Sequence, residues 1–152
     1  MKTQGGYLIS RIHQVGGRLF DRLLAEADID AFNGAQGRIL YVLWQEEGVS
    51  ISQIAQRTGL ANTTLTSMLD RMTAAELIRR VPAPHDRRAQ RIVLTEKARA
   101  LQSDYDRISQ RMNDVYYTGF SQEEYDQLEG YLLRILNNLE GGNPHESIHR
   151  QG

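Results

Sequence analysis

Apolar side chains recur along most of the chain in steps of three and four, the spacing of a helix face. Two short runs, where the step falls toward two, interrupt it. Over residues 7–27, Leu8, Ile9, Ile12, Val15, Leu19, Phe20, Leu23, Leu24 and Ala27 predict one long amphipathic helix. Gly16-Gly17 at its middle costs ~1 kcal/mol per glycine relative to alanine and allows a bend or a close crossing. Phe32 and Asn33-Gly34 mark a turn. A second helix is expected over residues 35–45, with Ile39, Leu40, Leu43 and Trp44 on one side. Val49-Ser50-Ile51 is too short for an independent strand but could add an edge to a hairpin. Ser52 is expected to cap a short helix over residues 52–58, because its hydroxyl can accept a free first-turn N–H. Ile54 and Ala55 should face inward there, and Gly59 should supply the left-handed residue that ends it.

The next helix, residues 62–76, is expected to be capped by Asn62. Leu65, Leu69 and Met72 share a core-facing side. At ~100° per residue, Thr63, Thr66, Ser67, Asp70, Arg71 and Ala74 then point outward, with Thr64 at the border. Threonine and serine are mediocre helix formers, so that face answers to something besides helix formation. Two β-like runs follow, residues 78–81 and 91–95, with Pro82 and Pro84 blocking helix between them. The intervening segment exceeds a two-residue hairpin loop, which predicts a projecting, mobile tip. Thr95-Glu96-Lys97 restarts a helix that carries Leu101, Tyr105, Ile108, Met112, Val115 and Tyr116 toward Phe120. Ser121 and Glu124 form a capping-box pattern ahead of a last helix with Tyr125, Leu128, Leu132, Ile135, Leu136 and Leu139. Gly141-Gly142-Asn143-Pro144 should stop it.

The predicted fold class is mainly α, α+β in detail, in a single compact protomer. Residues 35–95 form a helix-turn-helix with a basic hairpin. Residues 7–30 and 96–139 form a helical region with more apolar surface than one small domain covers, so they read as a dimerisation layer. Residues 140–152 read as a flexible polar tail. A helix-turn-helix commonly works as a dimer, its two readers about one turn of DNA, ~34 Å, apart.

Charge changes the picture locally and not in bulk. The net charge is −1, which by itself does not announce a polyanion partner. Residues 79–91, however, hold Arg79, Arg80, Arg87, Arg88 and Arg91 against a single acid, Asp86, and phosphate contacts depend on local cations. Hydrophobic residues at 40% support a real core and argue against disorder of the whole chain. The sequence has no cysteine, which excludes disulfides, thiolate metal sites and direct thiol oxidation as a sensing chemistry. Residues 1–6 are polar with no apolar signal core. No apolar run approaches the ~20 residues that cross a bilayer. The expectation is a soluble, cytoplasmic protein with no membrane partner.

No Ser/His/Asp set, paired carboxylates or phosphate-cradling glycine loop is present, so no catalytic residues and no cofactor are expected. His145 and His149 have the i, i+4 spacing of helical zinc ligands, but they lie in a Gly/Pro-led tail without a third ligand, and no metal site is assigned.

Asp86-Arg87-Arg88 followed by Leu94-Thr95 resembles the D-x-R…L-T wing signature of the MarR family of bacterial transcriptional regulators. Leu60-Ala61-Asn62-Thr63-Thr64-Leu65-Thr66 with Leu69-Asp70-Arg71-Met72 resembles that family's recognition-helix segment, where serine often stands in place of Ala61. The likeness extends from about Leu8 to Leu139. It implies a winged helix-turn-helix whose N- and C-terminal helices form the dimerisation layer. It also implies a homodimer on a pseudo-palindromic double-stranded DNA operator, repression as the commonest output, and release by a small organic effector bound between the dimer layer and the reading lobe.

On this reading Asn62, Thr63, Thr64, Thr66, Ser67, Arg71, Arg87 and Arg88 are the DNA-binding residues. Short hydroxyl side chains reach phosphates and base edges, and a threonine methyl can touch a thymine methyl. The plain counter-reading is a solvated helix face. Arg71 could equally pair with a carboxylate. Asp70 would repel phosphate and is expected to pair with an arginine. Arginines at a hairpin tip can enter a narrow minor groove; here one of Arg87 and Arg88 is expected in the groove and the other as a brace. Asp86 is expected to stabilise the wing, and Arg79, Arg80 and Arg91 to touch phosphate or scaffold. His13 and Tyr105 are the effector-pocket candidates, against the commoner role of a packed core or dimer residue. The alternative function is a winged-helix protein-interaction module that does not bind DNA, which would show a neutral or acidic reader face.

Overall fold

The structure is a computed structural model and describes residues 2–141. The chain runs α1 (Gly5–Glu26), α2 (Gly34–Gln45), β1 (Val49–Ser50), α3 (Ile51–Thr58), α4 (Asn62–Ala74), β2 (Ile78–Ala83), β3 (Asp86–Leu94), α5 (Glu96–Ala100), α6 (Gln102–Tyr116) and α7 (Gln122–Gly141). It divides into two units, one ending at Met112 and the other starting at Asn113. His145, His149 and the rest of the expected tail beyond Gly141 lie outside the described residues.

The first unit is built on one apolar cluster. Ile39, Leu40 and Leu43 of α2, Ile54 of α3, Leu65, Leu69 and Met72 of α4, and Ile78 and Ile92 of the sheet are all essentially solvent-free. Each has the helical or alternating spacing that sends it to one side. The lower half of α1 joins this core through Leu23 and Leu24, whereas its upper half leaves Tyr7, Leu8, Ile9, Ile12 and Val15 exposed. Gly16-Gly17 does not interrupt α1, which is continuous. It ends with Asp28 in the left-handed region at φ 57 and the Ile29 N–H donating to the Leu24 carbonyl at 2.9 Å, a wrap that satisfies end carbonyls.

The sheet is three-stranded and antiparallel in the order β1-β3-β2. The edge role expected for residues 49–51 falls to Val49 and Ser50, which pair with Ile92 and Arg91. Ser52 does not cap α3. Ser50 does, accepting from the Gln53 N–H at 3.2 Å while the Gln53 side chain accepts from the Ser50 N–H at 3.0 Å. The reciprocal box fixes the start, because Gln53 stands three residues after Ser50. Asn33 likewise caps α2 through a box with Gln36, so the expected turn is also a helix start.

The long helix expected after residue 95 is divided at Leu101, which closes α5 with a tightened turn, its N–H donating to the Ala98 carbonyl at 3.1 Å. In the second unit, Ser121 and Glu124 form the expected box, with Ser121 Oγ accepting from the Glu124 N–H at 3.2 Å. No residue of α7 is buried, and Tyr131, Leu132, Leu133, Ile135, Leu136 and Leu139 are all exposed.

Candidate nucleic-acid interface

Gly59 holds φ +72 between α3 and α4, a conformation that costs glycine nothing, and so makes the tight turn of the helix pair. The Thr58 hydroxyl donates back to the Ile54 carbonyl at 2.7 Å and closes the end of α3. Asn62 does not cap α4. Ala61 occupies the cap position and provides no side-chain acceptor, while Asn62 is the first helical residue, its side chain exposed. The reason is backbone geometry: Ala61 keeps extended angles and its carbonyl takes the first helical bond, from Leu65. Of the two helices of the turn, α3 is thus boxed at its start and α4 is not. The first-turn N–H groups of α4 have no side-chain partner, the arrangement that suits a phosphate oxygen.

Thr63, Thr64, Thr66, Ser67 and Arg71 are exposed on α4, opposite the buried Leu65, Met68, Leu69 and Met72. The Thr66 hydroxyl donates to the Asn62 carbonyl at 2.8 Å, and the residue is exposed. Arg71 makes only a long 3.4 Å contact to Ser67 Oγ. An open groove of about 470 Å³ lies between this face and the start of α2, with Asn33, Ala35 and Gln36 on the far side. The sequence pattern assigns no site role to Asn33, Ala35 or Gln36. The Asn33/Gln36 spacing was their only signal, and it marks a helix start, not a surface.

The hairpin is tighter than expected. Its strands extend to Ala83 and Asp86, leaving a two-residue turn at Pro84-His85. The extra residues are taken up by a register shift: Pro82 pairs with Gln90, and Ala83 with Asp86, so Arg87, Arg88 and Ala89 have no partners across the ladder. Pro82 and a bulge are both tolerated because β2 is an edge strand. Asp86 braces the bulge by accepting from the Arg88 backbone N–H at 2.9 Å. The brace expected from an arginine side chain is therefore supplied by backbone. Both guanidinium groups are exposed and meet no acceptor among the described residues.

The remaining arginines of the patch divide. Arg91 donates to the Gly48 carbonyl at 2.8 Å and ties β3 to the turn before β1. Arg80 pairs with Asp70 at 2.7 Å and ties β2 to α4. Arg79 is exposed and meets no acceptor among the described residues. The foot of the hairpin is held by Thr95. Its hydroxyl donates to the Glu76 carbonyl at 2.6 Å and accepts from the Ala98 N–H at 3.2 Å. Its N–H donates to the Leu77 carbonyl at 3.1 Å. Lys97 adds a bond to the Ala75 carbonyl at 3.1 Å. One threonine thus joins the end of β3, the cap of α5 and the connector after α4, where Glu76 is held at φ 60.

His13 is exposed on α1. Tyr105 stands among Phe20, Phe32, Tyr41 and Trp44, with ring centroids 5.1–6.1 Å away. Burial raises its hydroxyl above the usual tyrosine value, against a smaller opposing effect of a hydrogen bond with Ser109. No ring contact or hydrogen bond joins it to His13.

A glycine-turned helix pair whose second helix exposes a hydroxyl-rich face, followed by an arginine-tipped hairpin, defines a winged helix-turn-helix protein. The MarR family model matches residues 32–89, from the cap of α2 to the wing bulge. A curated relative, the HTH-type transcriptional regulator TtmR of Methylorubrum extorquens, is 34% identical over 123 residues, 81% of this chain. The chain spans 60% of that relative's length. The solved structure of transcriptional regulator PA3341 is 30% identical, with a TM-score of 0.77, over 90% of this chain and 98% of that one. An E. coli MarR mutant solved with operator DNA superposes at a TM-score of 0.75, with 23% identity over 86% of this chain and 92% of that one. The chain belongs to the MarR family, a family of transcriptional regulators and not of enzymes. Among the described residues, no helix is long and apolar enough to cross a membrane.

Proposed function

We propose that the chain is a cytoplasmic repressor that binds a pseudo-palindromic double-stranded DNA operator as a homodimer. The observation that carries this is the joint exposure of the α4 hydroxyl face and the wing arginines, with Arg87 and Arg88 left without protein acceptors. Asn62, Thr63, Thr64, Thr66, Ser67 and Arg71 read or grip the major groove, and the wing arginines take the minor groove or its phosphates. The uncapped first turn of α4 suits a phosphate oxygen. Residues 35–95 are the reading lobe, and residues 7–30 and 96–139 supply the dimer contacts. The exposed apolar side chains of α1, and separately those of α7, support that assignment, since an apolar helix face left to solvent marks an interaction site. The counter-reading, a winged helix that binds protein, has Asp70 and the net charge of −1 in its favour, but Asp70 is paired with Arg80, which leaves no unpaired acid there to make the reader face acidic.

The test is a gel shift on the DNA upstream of the protein's own gene, repeated across salt. Binding should weaken steeply as salt rises, because cations compete for the released counterion sites. No shift, or a shift indifferent to salt, would overturn the proposal.

Release by a small organic ligand belongs to the same proposal and rests on the family likeness. His13 and Tyr105 are its candidate contacts. Trp44 is the chain's one tryptophan and lies 5.1 Å from the Tyr105 ring, so an effector that reaches Tyr105 should change its fluorescence. A compound that releases DNA without changing Trp44 emission binds elsewhere.

A further inference from the structure

Asp70 is out of place on a surface meant for phosphate. It is exposed on the reader helix, next to Arg71 and one turn beyond Ser67 and Thr66. Its partner explains it. Arg80 extends from β2 and gives Nη2 to Asp70 Oδ1 at 2.7 Å, and the two residues belong to different elements. Among the described residues this is the only side-chain hydrogen bond between α4 and the hairpin strands. Arg80 is not a surface arginine that happens to lie nearby. Its backbone pairs with Ile92, which is fully buried, its side chain is 27% exposed, and its Nε is buried without an acceptor. A guanidinium held this far in, at the cost of an unmatched donor, has little freedom to leave Asp70.

The backbone around the pair leaves it something to do. The connector from α4 to β2 is three residues, Ala75, Glu76 and Leu77, and Glu76 takes a left-handed conformation that disfavours residues with a Cβ. Thr95 and Lys97 hold the near end of that connector by its carbonyls. They fix the foot of the hairpin, whereas Arg80 lies two residues further along β2, toward the tip. Rotation of the hairpin against α4 would have to break the Arg80–Asp70 bond before it disturbed the foot.

We propose that the Arg80–Asp70 pair sets the angle between the reader helix and the wing, so that α4 and Arg87/Arg88 engage DNA as one unit. Both are positioning residues, and neither needs to touch the operator. The inference rests on the proposed DNA-binding role for its consequence, but the geometric claim stands apart from it.

The two accounts of Asp70 predict opposite signs. If Asp70 acts only as a charge, Asp70→Asn removes repulsion and tightens binding. If it positions the wing, Asp70→Asn weakens operator binding while leaving non-specific binding equal or stronger. By anisotropy titration we expect Asp70→Asn to weaken the operator complex about tenfold, and Asp70→Glu, which keeps the carboxylate, to stay within about threefold of the parent. In an Arg87→Ala/Arg88→Ala background the Asp70→Asn loss should shrink to about twofold, because no wing contact remains to misplace. Tighter operator binding by Asp70→Asn, or an undiminished loss in the wingless background, overturns the inference.

A DNA-free measurement separates it from the function itself. The chain has no cysteine, so spin labels can be placed at Gln56→Cys on α3 and Ala89→Cys in the bulge, with labelled protein diluted into unlabelled. The distance distribution between them should broaden or shift in Asp70→Asn at a temperature where circular dichroism shows parent and variant both fully folded. An unchanged distribution overturns the inference even if operator binding is intact. A changed distribution in a protein that binds no DNA upholds the latch and refutes the DNA role.

Discussion

Replacing Arg87 and Arg88 with alanine offers the sharpest quantitative check on the wing. Both side chains are exposed at a bulge and meet no protein acceptor, so their loss removes no internal hydrogen bond. The brace from Asp86 to the Arg88 backbone N–H survives the change. Folding stability should therefore stay within about 0.5 kcal/mol of the parent, the range for surface substitutions away from structural features. DNA binding should respond through salt. Among the described residues, Arg71 of α4 and Arg79, Arg87 and Arg88 of the hairpin meet no carboxylate or backbone carbonyl, whereas Arg80 and Arg91 are held by Asp70 and Gly48. A dimer then presents on the order of eight available cations, giving a log–log salt slope of about −7 at ~0.9 per phosphate contact. The double substitution removes about four of them and should flatten the slope to about −3.6. Raising salt from about 50 to about 200 mM should cost the parent roughly 10⁴ in affinity and the variant roughly 10².

Anisotropy titrations of a labelled operator at four or five salt concentrations measure both slopes, with circular dichroism melts as the folding control. A variant that folds normally and keeps the parental slope refutes the wing assignment. A slope that changes by about half this amount means that one arginine of each pair contacts phosphate and the other faces solvent or an uncharged groove edge.

Three further outcomes test the scaffold. Thr95→Val keeps shape and loses the cap of α5 and the bond to the Glu76 carbonyl; at ~1 kcal/mol for each, the protein should lose about 2 kcal/mol and melt some 4–8 °C lower. Gly37→Ala would place a Cβ 3.1 Å from Tyr105 and 3.2 Å from Phe32, so it should cost about 1–2 kcal/mol in urea unfolding and alter Trp44 emission by displacing the ring beside it. Burial holds the Tyr105 hydroxyl above the ordinary tyrosine value near 10, so the folded state keeps a proton that the unfolded state releases first. Stability should consequently be intact below about pH 10 and fall as pH rises from there through the folded-state value. Urea midpoints at pH 8–11 should show that fall reduced in Tyr105→Phe.

The long helices were legible because their apolar spacing is the same physical quantity that buries them. Leu65, Leu69 and Met72 share a face by geometry alone, and all three are solvent-free. Cap positions were less legible. Ser52 and Ser50 are chemically identical candidates, and the choice depends on Gln53 standing three residues after Ser50 to complete a box. At α4 the same preference for polar caps favoured Asn62, yet Ala61 holds the position because the turn through Gly59 sets where extended backbone ends. The hairpin departs from expectation for a different reason. Counting residues between two β-like runs predicts a long loop, but a register shift absorbs three of them without any signal in hydrophobic pattern. Pairings across elements were visible only as classes. Asp70 was expected to find an arginine, but five arginines lay within reach of that expectation, and only the strand alternation that turns Arg80 inward selects among them.

That selection bears on how a chain of net charge −1 can present a cationic surface. Outside the hairpin, acids stand against several of the arginines: Glu46 with Arg57, Glu47 and Glu96 with Arg99, Asp104 with Arg107, Glu26 with Arg22. These pairs are solvent-exposed and screened by water and salt, so stability alone gives little reason for them. Their electrostatic effect is local cancellation. At the hairpin and the reader helix beside it the acids are used differently. Asp86 spends its carboxylate on a backbone N–H, and Asp70 reaches the inward Arg80, so neither quenches Arg79, Arg87 or Arg88. Reversing that arrangement is the direct way to test whether it matters. Ala89→Glu adds one carboxylate beside the bulge arginines and changes net charge by a single unit per protomer. If local cancellation governs binding, Ala89→Glu should weaken the operator complex about as much as losing one wing arginine, while Ala89→Gln, of similar size and no charge, should leave it within about twofold at 0.15 M salt. Equal losses in the two variants would mean that bulk at the bulge sets the affinity, and the separation of paired from unpaired arginines would then carry no functional weight.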